Sequence, residues 1–190
     1  MSKNKPLPKN HPLHHASKEL NAAIEFYEKL IEHHVSEFAV FDSIWREFLQ
    51  KIDRIWNKTQ AAMHDHPRWP QLESEINRLR NTDPLLLYLR QARNAEEHSV
   101  QSIAADWNAN LRLSQVEGNR IHAQWDPWNR SLLPVKNRGI TYQPPRDHLG
   151  KNIAGATEVG AAEPISVAEL ALQFYKDTLN RVVDEVLTKR

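Results

Sequence analysis

The chain has 190 residues and a formal net charge of +1, from 25 Lys plus Arg against 24 Asp plus Glu, so its bulk charge recruits neither nucleic acid nor an anionic membrane. It has no cysteine, which excludes disulfide scaffolds, thiolate nucleophiles, iron–sulfur clusters and cysteine zinc sites. The length suits one domain, and no apolar run approaches the roughly 18 residues of a membrane span, so we expect a cytoplasmic protein with no membrane partner.

Residues 1–16 are rich in Pro and Lys and have almost no apolar content, which predicts a flexible basic arm. Residues 17–190 are then expected to form a single helical domain. Residues 17–66 contain neither Gly nor Pro, and their apolar side chains recur at intervals of three and four, as in amphipathic helices. Because 50 residues is long for one straight helix, we expect a break near residues 33–36.

A short helix is predicted over residues 71–80, and a longer one from Pro84 to about Asn110. Asp83 is expected to cap the second helix, with Pro84 in its first turn. The predicted core face of this helix combines apolar residues about one helical turn apart: Leu85, Leu89, Ala92, Val100, Ile103 and Trp107.

Gly and Pro interrupt every periodic pattern in residues 111–163, so we expect a loop-rich insert with a possible short hairpin around residues 121–125 and 139–142. The last helix is expected to start at a capping box of Ser166 and Glu169, with Ile165 and Leu170 as its hydrophobic staple. Its predicted core face carries apolar residues to the C-terminus: Leu172, Tyr175, Leu179, Val182, Val183 and Val186.

One predicted helix carries an Arg, an adjacent Asn and, four residues further on, a His: Arg93-Asn94-Ala95-Glu96-Glu97-His98. This run resembles the signature of the HEPN superfamily, and the order of long N-terminal helices, motif helix and final helix is also similar to that family. The resemblance covers residues 17–110 and 165–190 and departs from the family at the insert. It implies an all-α, HEPN-like helical bundle with an irregular insert before the last helix.

The resemblance further implies a metal-independent endoribonuclease, with a setting in toxin or defence systems. His98 would then transfer protons or orient the substrate, Arg93 would hold the phosphate and Asn94 would position them. These residue types suit that chemistry, because histidine exchanges protons near neutral pH and the arginine fork stabilises charge developing on a phosphate. No metal or cofactor is expected, and RNA and an antitoxin or regulatory protein are the expected partners.

Five residues along a helix correspond to roughly 140° of rotation, so Arg93 and His98 point in different directions. Two copies packed about a twofold axis could bring Arg93 of one chain beside His98 of the other. A homodimer with Arg90, Asn94 and His98 at its interface is therefore expected, as the family also implies. Arg90 and three residues of the insert are the candidate contacts to the RNA backbone: Arg130, Arg138 and Arg146.

Two other interpretations remain open. The motif residues could be an ordinary polar helix face, with Arg93 and Glu97 as an i,i+4 pair, in a non-catalytic HEPN-like module that binds nucleic acid, nucleotide or a protein partner. The chain could also be a plain dimeric scaffold. Its histidines lack a recognised zinc spacing, so we interpret most of them as surface or capping residues.

Overall fold

The computed structural model describes residues 7–33, 37–98, 104–106, 110–116, 120–126, 130–137, 140–142, 144, 147–148, 151–152 and 164–188. These residues are mostly helical, which confirms the expected all-α class. The helices are α1 (His14–Glu32), α2 (Phe38–Met63), α3 (Trp69–Thr82), α4 (Pro84–His98) and α5 (Pro164–Arg181), and α5 continues as a π-helical segment, Val182–Thr188.

The helices pack around one apolar core, to which each of them contributes. Helix α2 supplies the bulkiest part, where the rings of Trp45 and Phe48 stack with centroids 5.5 Å apart, and it contacts α1, α4 and α5. The three- and four-residue apolar spacing along α1 and α2 places these side chains on the faces that meet, so burial of those faces holds the bundle together.

The N-terminal helices agree with the predicted pattern, except at the start of α1. The expected break falls between Glu32, where α1 ends, and Phe38, where α2 begins. Helix α1 begins at His14, inside the segment expected to be a flexible arm. Leu13 and Ala16 are buried, and the burial of these apolar side chains stabilises the end of that segment against the bundle.

Asp83 caps α4 as predicted. Its Oδ1 accepts the backbone N–H groups of Leu85 and Leu86 at 3.0 and 3.1 Å, and Pro84 is the first residue of the helix. Helix α3 is slightly longer than predicted, from Trp69 to Thr82.

The predicted end of α4 near Asn110 is wrong, because the helix ends at His98 and a strand, β1, follows at Ala104–Asp106. This strand pairs antiparallel with β4, Arg130–Leu132. Its partner is distant in sequence, and such pairing overrides the local helical pattern. Leu85, Leu89 and Ala92 of the predicted core face are buried; Val100, Ile103 and Trp107 lie outside the described residues.

The insert contains more strand than the sequence predicted. Its remaining strands are β2 (Asn110–Val116), β3 (Arg120–Asp126), β5 (Val135–Asn137), β6 (Ile140–Tyr142), β7 (Asp147–His148) and β8 (Lys151–Asn152). They pair antiparallel as β2 with β3, β5 with β6 and β7 with β8. Residues 121–125 and 140–142 are therefore strands, but they belong to two different hairpins and do not pair with each other.

The insert packs on α4 through apolar and polar contacts. Leu132 and Val135 are buried in the helical core. The Tyr88 hydroxyl donates to the carbonyl oxygen of Leu133 at 2.7 Å, and Asn137 Nδ2 donates to Gln91 Oε1 at 2.7 Å. Strands β4 and β5 are thereby fixed to the helix that carries the Arg-Asn motif.

The expected capping box of α5 is wrong, because the helix begins at Pro164 and Ser166 lies inside its first turn. Proline suits the first helical position, where its fixed φ fits the helix and its missing N–H has no intrahelical acceptor. The predicted core face is confirmed for the buried residues Leu172, Tyr175, Leu179, Val182 and Val186; Val183 is partly buried. Among the described residues, no helix is both long and apolar enough to cross a bilayer.

Candidate functional site

Arg93 and Asn94 lie on α4, where the side chain of the arginine is largely buried. Arg93 Nη1 donates to Asn94 Oδ1 at 3.3 Å, while its Nε lies 3.7 Å from Oδ2 of Asp53 on α2. In these two contacts the guanidinium has one long hydrogen bond and one ion pair beyond hydrogen-bond distance, and 26% of the side chain is exposed. Asn94 therefore contacts the guanidinium of Arg93 directly.

Arg93 lines a small pocket at the junction of α2, α3, α4 and α5. Its walls combine apolar and charged side chains: Leu49, Ile52, Asp53, Arg80, Leu89, Arg90, Arg93 and Tyr175. The pocket has a volume of about 220 Å³, which includes the solvent space at its open mouth. Its closed inner part has room for about one water molecule, so a larger anion would bind at the mouth.

Asp53 is the centre of the polar contacts in this pocket. Its Oδ1 accepts from Arg80 Nη2 at 3.0 Å, and its Oδ2 accepts from Asn57 Nδ2 at 3.0 Å. The Arg80 side chain is about nine-tenths buried and lies over the ring of Trp56, 5.2 Å from its centroid. Contacts with a carboxylate and an aromatic face offset the cost of burying a guanidinium.

The pocket has an excess of positive charge. Three arginines line it, against one carboxylate, that of Asp53, so the lining side chains carry three minus one, or two net positive charges. Tyr175 adds no charge near neutral pH, because a phenol has a pKa of about 10; burial raises the pKa of Tyr175 further, although Arg80 opposes that shift. Such a surface favours an anion with several acceptor oxygens, such as a phosphate.

Arg90 also lines the pocket, one helical turn before Arg93. Its Nη1 donates to Oδ1 of the exposed residue Asn81, near the end of α3. The sequence-based expectation grouped Arg90 with Arg93 and Asn94, and the structure places Arg90 and Arg93 on the same pocket.

The other predicted site residues are not described as fully. His98 is the last residue of α4 and Arg130 the first of β4, but their side chains lie outside the described part of the chain. Arg138 and Arg146 lie outside the described residues altogether. Of the predicted residues, the structure brings together Arg90, Arg93 and Asn94.

Asp53 and Arg80 were not predicted as site residues, although the sequence contains a signal for both. Asp53 lies four residues after Leu49 and three before Trp56, and Arg80 lies four after Ile76, so each falls in line with residues that are buried. A charged residue within an apolar stripe needs a partner when it is buried. The sequence therefore indicates that Asp53 and Arg80 each need a partner within the fold.

Two histidines of the N-terminal segment contact the backbone. His11 Nδ1 accepts the backbone N–H of Leu13 at 3.1 Å, and His14 Nδ1 lies 2.7 Å from the carbonyl oxygen of Leu7. These contacts fit the interpretation of both as capping or surface residues. Within the described ranges, no group of three or more His, Asp or Glu side chains is placed to hold a metal ion.

Comparison with known proteins found no matching family model, no matching curated protein and no matching solved structure.

Proposed function

We propose that this chain is a HEPN-like helical domain that cleaves RNA without a metal ion. The observation that supports this most is the arginine pocket: Arg93, the first residue of the motif, shares it with Arg80 and Arg90. Several guanidiniums that line one pocket suit the stabilisation of a phosphate whose charge increases in the transition state. The position of Arg93 in this pocket supports the role proposed for it.

The proposed reaction is attack of a ribose 2′-hydroxyl on the adjacent phosphate. A base removes the hydroxyl proton, the new O–P bond forms as the bond to the 5′-oxygen of the next nucleotide breaks, and an acid protonates that oxygen. The products are a 2′,3′-cyclic phosphate and a 5′-hydroxyl. His98 is proposed to transfer protons, Arg93 to hold the non-bridging phosphate oxygens and Asn94 to keep Arg93 oriented.

The proposed active site needs two chains. On a regular helix His98 is rotated by roughly 140° from Arg93, so the two residues of one chain do not face one phosphate. A twofold dimer would allow Arg93 of one chain and His98 of the other to act on the same phosphate. A toxin or defence setting, and an antitoxin or regulatory partner, follow from the family resemblance and belong to the same proposal.

A specific contact favours a second candidate, a non-catalytic module of the same fold that binds nucleic acid or nucleotide. Arg93 already lies 3.7 Å from a carboxylate, and an arginine engaged in an ion pair within the protein is less available to a transition state. In that case the pocket would bind phosphate in the ground state, and its residues would contribute to affinity alone.

Incubation of the purified protein with end-labelled RNA in EDTA tests the proposal. We expect cleavage that leaves 2′,3′-cyclic phosphate ends and that is lost in Arg93→Ala and His98→Ala. Arg46→Ala is the matched control, because it removes an arginine paired with Asp42 on α2 outside the pocket lining. If both motif variants cleave RNA as fast as the wild type, the activity belongs to a contaminant or to another site.

A further inference from the structure

The pocket contains a residue that the proposed reaction does not use directly, Asp53. Its carboxylate contacts Arg80 with one oxygen, at 3.0 Å, and approaches Arg93 with the other, at 3.7 Å. It therefore links the most buried arginine of the pocket to the motif arginine. We infer that Asp53 is a positioning residue for Arg93 and the internal counter-anion that limits the affinity of the pocket for an RNA phosphate.

The positioning role follows from which atoms of Arg93 are engaged. Asp53 lies near Nε, at the inner edge of the guanidinium, while Nη1 is bonded to Asn94. The carboxylate near Nε and the amide at Nη1 both favour the observed orientation of the planar guanidinium, and the carboxylate does so through its charge, because 3.7 Å is longer than a hydrogen bond. Asp53 is itself held by Arg80 and Asn57, so the orientation of Arg93 depends on a network that reaches α3.

The counter-anion role follows from the charge of the pocket. With Asp53 ionised, the lining side chains carry a net charge of two; without it, all three arginines would be uncompensated. Asp53 is only 17% exposed, so its charge is less screened than that of a surface carboxylate. A phosphate at the mouth must therefore compete with Asp53 for Arg93, and this competition weakens ground-state binding while the alignment of Arg93 favours catalysis.

Asp53→Asn separates these two effects. The amide keeps an acceptor for Arg80 but removes the charge. We expect it to tighten binding of a labelled 2′-O-methyl oligoribonucleotide, which cannot be cleaved because its attacking hydroxyl is blocked, by about fivefold at low salt. The single-turnover cleavage rate of the matching RNA should fall by about tenfold, because Arg93 is less well aligned. A residue that only stabilises the fold would not produce this opposite pair of changes.

Asp42→Asn is the matched control. It removes the same charge from the same helix, eleven residues earlier and therefore about 16 Å away along the axis, where Asp42 pairs with Arg46 at 2.7 Å. We expect Asp42→Asn to change neither the affinity for the oligonucleotide nor the single-turnover cleavage rate.

Asp53→Glu keeps the charge and moves the carboxylate by one methylene, so it should bind the oligonucleotide like the wild type and cleave more slowly. If circular dichroism shows that Asp53→Asn does not fold, Asp53→Glu tests the inference in its place. A wild-type cleavage rate in Asp53→Glu would then overturn the inference. Unchanged affinity of folded Asp53→Asn would overturn it too.

The inference takes its ligand, RNA, from the proposed function, but the two can fail separately. Wild-type cleavage with unchanged affinity in Asp53→Asn would leave the nuclease proposal intact and refute the role of Asp53. Absence of cleavage together with tighter binding by Asp53→Asn would support the role of Asp53 in a binding module and refute the nuclease proposal.

Discussion

The phenol of Tyr88 donates a 2.7 Å hydrogen bond to the backbone carbonyl oxygen of Leu133. Tyr88 belongs to α4, five residues before Arg93, and Leu133 follows β4 in the insert. This contact joins the helix that carries the motif to the segment that begins with Arg130, so it helps to fix that segment against the helix.

Tyr88→Phe should destabilise the fold by about 1–2 kcal/mol, because the carbonyl oxygen of Leu133 loses its donor in a part-buried position. The measurement is urea unfolding followed by circular dichroism. Tyr142→Phe, at a half-buried tyrosine of β6, serves as the matched control and should cost less. Equal stability of Tyr88→Phe and the wild type would show that this hydrogen bond does not contribute to holding the insert on α4.

Stability should fall in alkaline solution. Burial raises the pKa of Tyr88 and of Tyr175 above the usual value near 10. Above pH 10 the phenols ionise in the unfolded chain but stay protonated in the folded one, so the stabilisation they provide is complete below that pH and is lost as the pH rises through the folded-state pKa. Each should contribute a slope of about 1.4 kcal/mol per pH unit, and unfolding of Tyr88→Phe between pH 9 and 11 should show a shallower decline.

Loss of the Asp83 cap should weaken α4. Asp83→Ala removes the acceptor of two backbone N–H groups and should cost about 1–2 kcal/mol of unfolding free energy. Asp83→Asn is the informative control, since asparagine caps a helix about as well. If both substitutions cost the same, the negative charge of Asp83 and not its capping bonds would be what stabilises this helix start.

Light scattering should show a dimer at micromolar concentration. A composite site makes a sharper prediction: an equal mixture of Arg93→Ala and His98→Ala chains, each inactive alone, should recover about one quarter of wild-type cleavage. After random exchange, half of the dimers contain one chain of each variant. One of the two sites in such a dimer has both Arg93 and His98, so one quarter of all sites are intact. A monomer, or a mixture that stays inactive although its chains exchange, would contradict the dimeric site.

Much of the helical part could be predicted from the sequence. The apolar spacing in α1, α2 and α5 indicated their core faces, and Asp83 with Pro84 indicated the start of α4. The end of α4 could not be predicted locally, because Ala104–Asp106 takes its strand conformation with Arg130–Leu132 as partner, and nothing in the local pattern specifies that pairing. The start of α5 was misplaced because Ser166 and Glu169 have the spacing of a capping box while Pro164 already begins the helix.

The candidate site could likewise be predicted from the sequence only in part. Arg90, Arg93 and Asn94 are close in sequence, so one helical pattern indicated them together. Asp53 and Arg80 join them only because three helices meet at one point. Their positions in apolar stripes show that each needs a partner, but the identity of that partner depends on how α2, α3 and α4 pack.

The most direct test of the proposed function measures RNA binding and single-turnover cleavage in EDTA for two sets of variants. Charge reversal at Arg130, Arg138 and Arg146 should weaken binding and flatten its dependence on salt, while cleavage at saturating RNA persists. Arg93→Ala and His98→Ala should keep much of the binding and lose cleavage, because they act mainly in the transition state. If motif and insert variants alter affinity alike and none changes a cleavage rate that equals background, the protein binds RNA without cutting it and the proposed function is wrong.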